Sequence, residues 1–183
     1  MMGRSVVAFV LAFCLSAAAQ VHRRDPLTPA ETDALREVSV EPEKKLPLYV
    51  KYAQARITSI EQLRADPHAT QDRGRQIHDL LVDFKVIVDE MDRNLDSFAN
   101  QKLDFRKALK LMAQADAEFL TALAKLKESA KDPANAADAR EYEFAVLDAS
   151  DAVDGNLENA KELLAEQEKA AAEAKAKAKV KKK

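Results

Sequence analysis

Cysteine occurs once in the 183 residues, at Cys14; tryptophan is absent and glycine appears only three times. Each scarcity removes a class of chemistry. One cysteine allows no internal disulfide and no multi-thiolate metal centre. Gly74 and Gly155 stand far apart, so there is no glycine-rich loop to cradle a phosphate. Histidine is also rare, at His22, His68 and His78, and none has an acid three residues before it. The Glu-x-x-His arrangement of di-iron bundles is therefore missing, as are His-Glu-x-x-His and Cys-x-x-Cys-His. No nucleophile elbow surrounds Ser39, Ser59, Ser97, Ser129 or Ser150. The expectation is a protein that is not an enzyme and holds no cofactor or metal.

What is abundant is Ala, Leu, Glu, Lys and Asp, a composition that favours helix. Residues 1–19 are set apart by their own pattern. Arg4 precedes the apolar run Val6–Leu15, and Ala17-Ala18-Ala19 follows as a small-residue cleavage site. This reads as an export signal, too short in its apolar part for a membrane span of roughly 20 residues. Phe13 before Cys14 argues against a lipoprotein, because bacterial lipoprotein signals place a small residue there. Cleavage after Ala19 leaves a chain without cysteine.

Beyond the signal, Ile77, Leu81, Phe84, Val88, Met91, Leu95, Phe98, Lys102, Phe105, Leu109, Met112, Asp116, Phe119, Leu123 and Leu126 follow in alternating steps of four and three. Such a series falls on one face of a helix, and only Lys102 and Asp116 break its apolar character. An unbroken helix of about 50 residues would be roughly 75 Å long. A compact domain of this size has a radius of gyration of roughly 15 Å. Asn100–Asp104 is the place to turn, with Asn100 ending one helix and Asp104 capping the next. The stretch then becomes a hairpin of helices near 70–99 and 104–130. Leu80, Ile87, Ala108, Ala115 and Ala122 broaden the apolar face beyond what a two-stranded coil needs.

The remaining segments complete an all-α reading. In the arm of residues 20–42, Thr28-Pro29-Ala30-Glu31 opens a short helix ending near Val38. A second helix covers Glu43 or Pro47 to Ala65, and Asp66-Pro67 stops it. A last helix, entered through Asp132 or Asn135, carries Tyr142, Val146, Ala149, Val153, Leu157, Ala160 and Leu164 on one side. Residues 43–168 are thus expected to form an up-down-up-down four-helix bundle, with an extended coiled-coil dimer as the alternative. Residues 169–183, almost only Ala, Glu and Lys, are expected to be a disordered tail.

Few residues invite a functional reading. Asp116 sits at a core-type position; either it is a buried carboxylate that takes an Arg or Lys partner or is neutralised by a raised pKa, or a slight helix rotation brings it to the solvent edge, the simpler expectation. Phe144 and Leu147 form a second apolar patch on the last helix, which the short N-terminal helix could cover through Leu35 and Val38. Asp148, Asp151, Asp154 and Glu158 lack the alternating spacing of a calcium loop and read as a solvated face. Lys175, Lys177, Lys179, Lys181, Lys182 and Lys183 end a chain whose body carries 22 basic against 31 acidic residues. Those lysines could meet anionic phospholipid, acidic envelope polymer or nucleic acid, or simply solubilise the end.

The leading functional expectation is an exported, non-enzymatic protein of the bacterial periplasm or envelope. It would bind an unknown protein or an anionic envelope component, with no specific nucleic acid, no membrane span after cleavage, and homo-oligomerisation open. A chaperone-like or inhibitor module clasping another protein is the alternative. The layout is also similar to periplasmic haem-binding four-helix proteins, which implies a small metal or haem carrier as a third reading. Its His–Met pair would have to come from His78 and a distant methionine.

Overall fold

The computed structural model describes residues 25–69 and 71–180. The export signal, with Arg4, Cys14 and Ala17–Ala19, lies outside the described residues, as do His22, Thr70 and Lys181–Lys183. Among the described residues the chain is all helical: α1 (Pro29–Glu37), α2 (Pro42–Ala65), α3 (Arg73–Asn100), α4 (Arg106–Ser129), a 3-10 turn (Pro133–Asn135) and α5 (Ala136–Val180). The five α-helices pack against one another around one core.

Local chemistry sets several helix ends. Thr28 and Glu31 form the expected capping box: Glu31 N–H donates to Thr28 Oγ1 at 3.3 Å, and Thr28 N–H donates to Glu31 Oε2 at 2.8 Å. α2 starts at Pro42 and carries Pro47 in its second turn. That proline leaves one backbone acceptor of the first turn without its usual helical donor. Asp132 caps the 3-10 turn that leads into α5, accepting from Ala134 N–H at 2.9 Å.

The long periodic stretch breaks where expected. α3 ends at Asn100, and Lys102 takes the left-handed conformation at φ 56°. Lys102 N–H then donates to Ala99 O at 2.8 Å and Leu103 N–H to Phe98 O at 3.3 Å. This is a Schellman motif with lysine at the position usually held by glycine. Lys102 interrupts the apolar series because it sits in the turn. Asp104 does not cap α4 from the N-cap position; Phe105 holds that place without a side-chain cap. Asp104 Oδ1 still accepts from Arg106 N–H, the first amide of α4, at 3.4 Å, and the amides on either side are met from other helices. Phe105 N–H donates to Gln167 Oε1 of α5 at 3.1 Å, and Lys107 N–H to Glu43 Oε1 of α2 at 3.3 Å.

Packing departs from a side-by-side hairpin. The closely packed neighbours are α2 with α3, α3 with α5, α5 with α4 and α4 with α2. The consecutive helices α3 and α4 therefore stand across the core from each other. Their side chains meet in the middle, where Phe84 and Phe119 pack edge-to-face with ring centroids 5.2 Å apart. α3 and α5 are held close at their N-terminal ends, with Arg73 and Asp138 paired at 2.6 Å. A Cβ on Gly74 would lie 2.7 Å from the Asp138 carbonyl oxygen.

Two expectations change at the ends of the fold. The segment from residue 169, expected to be disordered, continues α5 as helix to Val180. Ala, Glu and Lys are strong helix formers, and a helix already nucleated on the core propagates at little cost. The short N-terminal helix does not cover Phe144 and Leu147. α1 packs on α2, where Leu35 is buried, and a partly buried Arg56–Glu31 pair at 2.6 Å pins it there.

Candidate contact surface and buried polar pair

α5 is amphipathic along its first half. Tyr142, Val146, Ala149, Val153 and Ala160 are buried, as the sequence series requires; Leu157 and Leu164 are half-buried. The opposite side carries Phe144, 77% exposed, and Leu147, 37% exposed. Beside them, between the C-terminal end of α4 and the start of α5, lies a groove of about 380 Å³. It is lined by Ala130, Ala139, Val146 and Leu147 and by the charged residues Lys127, Lys131, Arg140 and Glu143. A large exposed aromatic ring beside a mostly apolar groove lined by three basic residues and one acid has the chemical character of a contact surface.

The acidic residues Asp148, Asp151, Asp154 and Glu158 continue along the exposed side of α5. Among the described residues no group of three or more His, Cys, Asp or Glu side chains is arranged to hold a metal ion. His68 is exposed in the turn after α2. His78 is half-exposed and its Nδ1 lies 3.2 Å from Asp79 Oδ1, whereas Met91 and Met112 are fully buried. Lys175, Lys177 and Lys179 are exposed on the helical extension of α5. No described helix is long and apolar enough to cross a membrane.

Asp116 is buried, and the solvent-edge expectation fails. Its partner is neither Arg nor Lys: Asn156 Nδ2 on α5 donates to Asp116 Oδ2 at 2.7 Å, and both residues are 1% exposed or less. Asp116 Oδ1 and Asn156 Oδ1 have no hydrogen-bond partner. Burial pushes the Asp116 carboxyl up to about 7; the Asn156 hydrogen bond acts the other way, and the nearby Asp92 charge reinforces the rise. A neutral Asp116 carries an O–H donor, and Asn156 Oδ1 is the acceptor still free in the pair.

Asn156 was not legible as a core residue, because the apolar series of the last helix runs through Leu157. A weaker signal existed: Asn156 lies seven residues beyond Ala149, which is itself seven beyond the buried Tyr142. One turn on, Asn159 Nδ2 donates to Asp92 Oδ1 at 2.7 Å and Asp96 Oδ1 at 3.2 Å. Two asparagines of α5 thus reach carboxylates on two different neighbours, α4 and α3.

No protein family matches this chain, and neither a curated protein nor a solved structure is significantly similar to it. Its functional reading therefore rests on its own surface.

Proposed function

We propose that this chain is an exported, non-enzymatic protein whose long helices form an up-down-up-down four-helix bundle, with a binding or structural role in the bacterial periplasm or envelope. The single observation that supports a contact role is Phe144, a large aromatic ring 77% exposed beside an apolar groove that α1 leaves open. Export is supported by the order of Arg4, the Val6–Leu15 run and Ala17–Ala19. The lysines from Lys175 onward add a cationic end suited to an anionic envelope component.

The test places a photo-crosslinking amino acid at position 144 in the native host. A discrete covalent adduct in the envelope fraction is the expected result, and shortening the chain by residues 175–183 should reduce retention there. A chain recovered from the cytosol, or one that forms no adduct through position 144, overturns the proposal.

A further inference from the structure

The exposed side of α5 has an order that a second copy of the same chain can complete. Arg140, Phe144, Leu147 and Asp151 follow in steps of four, three and four, and all are exposed. That spacing sets them in one stripe along the helix. Neither Arg140 nor Asp151 has an ion-pair partner among the described residues. The stripe is basic toward the start of α5, apolar in its middle and acidic beyond.

We propose that α5 pairs antiparallel with α5 of a second copy, about a two-fold axis passing midway between Phe144 and Leu147. This rests on reading the Phe144 face as a contact surface and names its occupant. Phe144 and Leu147 are equally far from that midpoint, so each meets the other residue type on the partner. Arg140 and Asp151 are also equally far from it, so each Arg140 faces the partner subunit's Asp151 and each Asp151 faces the partner subunit's Arg140. Such a self-complementary contact is the isologous kind that closes a dimer.

Charge selects the direction. A parallel pairing would set Asp151, Asp154 and Glu158 each against its own copy, whereas the antiparallel one sets Asp151 against the partner subunit's Arg140 and Asp154 against the partner subunit's Ala137, leaving Asp148 opposite the partner subunit's Glu143 as the like-charge contact. The same operator sets Gly155 against the partner subunit's Ala136. Gly155 lies in the interior of a long helix, where glycine is unfavourable, and nothing within its own chain approaches its Cβ position within 4 Å. Close approach of another helix gives that glycine a reason.

The test is sedimentation equilibrium of the purified chain and of two charge reversals at exposed positions, Arg140→Glu and Asp151→Arg. The unaltered chain should sediment with twice its own mass as concentration rises. Each reversal alone sets two like charges together at both ends of the contact and should weaken association about tenfold or more. Mixing the two variants restores both attractive pairs, so a heterodimer should form at the affinity of the unaltered chain. Its formation also demonstrates that both variants are folded. A chain that stays monomeric up to its solubility limit overturns the proposal, as does a dimer indifferent to either reversal, or single variants that fail to recombine. A monomer that still crosslinks to another protein or lipid through position 144 overturns the dimer but leaves the contact surface standing.

Discussion

Asn156 donates one hydrogen bond to Asp116 at 2.7 Å in the middle of the core, and one oxygen of each residue remains without a partner. Both side chains are buried, so the protonation state of Asp116 is coupled to folding. Its folded pKa of about 7 lies above the ordinary 3.8. A raised carboxyl pKa gives stability that is fully present below the unfolded value and declines as pH rises toward the folded one. Within that window each pH unit costs about 1.4 kcal/mol from this group. Asp116→Asn, which cannot ionise, should remove that part of the slope. Urea denaturation at several pH values checks it: the difference between variant and unaltered chain should grow from pH 4 to pH 7 and then level off.

Arg56 holds α1 against α2 by donating to both Glu31 oxygens and to the Pro26 carbonyl oxygen, at 2.6–2.8 Å. α1 is too short to persist alone, so its order depends on this docking. Arg56→Met should weaken α1 docking by roughly 2 kcal/mol. Amide exchange should then accelerate in residues 29–37 while α3 and α4 keep their protection. The Arg56 guanidinium holds the Glu31 carboxyl below its ordinary 4.5. The contribution of this pair is therefore present above pH 4.5 and lost as pH falls through the lowered folded value. Acidification through that lowered value should expose α1 first.

Gly74 and Gly155 should respond to alanine with opposite signs. A Cβ at Gly74 would lie 2.7 Å from the Asp138 carbonyl oxygen and 2.8 Å from its Cα, and backbone cannot move aside as a side chain can. Gly74→Ala should destabilise by roughly 1–3 kcal/mol. At Gly155 no atom of the chain is near, and Gly155→Ala in dilute protein should stabilise by about 0.5–1 kcal/mol. Denaturation midpoints of the two variants, measured side by side, decide this.

Lys102 occupies a left-handed position at φ 56°, which costs a residue with a Cβ about 1 kcal/mol. Lys102→Gly should recover part of that cost, about 0.5–1 kcal/mol, and raise the melting temperature. Lys102→Val should do the reverse, because a β-branched side chain tolerates positive φ worst.

The sequence by itself determined the elements of this fold. Helix-forming composition, the four-and-three spacing from Ile77 to Leu126, the capping box at Thr28 and the turn after Asn100 are local signals, and local backbone chemistry acts on them directly. Tertiary structure decided what depends on neighbours distant along the chain. The periodicity could not say that α3 and α4 face each other across the core, because a stripe records which side is buried and not against which helix. It could not place Asp116 inside the core, because that depends on Asn156, 40 residues away on another helix. Nor could it leave Phe144 and Leu147 open, since α1 had an equally apolar claim on either surface. The Arg56–Glu31 pair directed it to α2, and a partly buried ion pair holds only where both charges are brought together as they lose water.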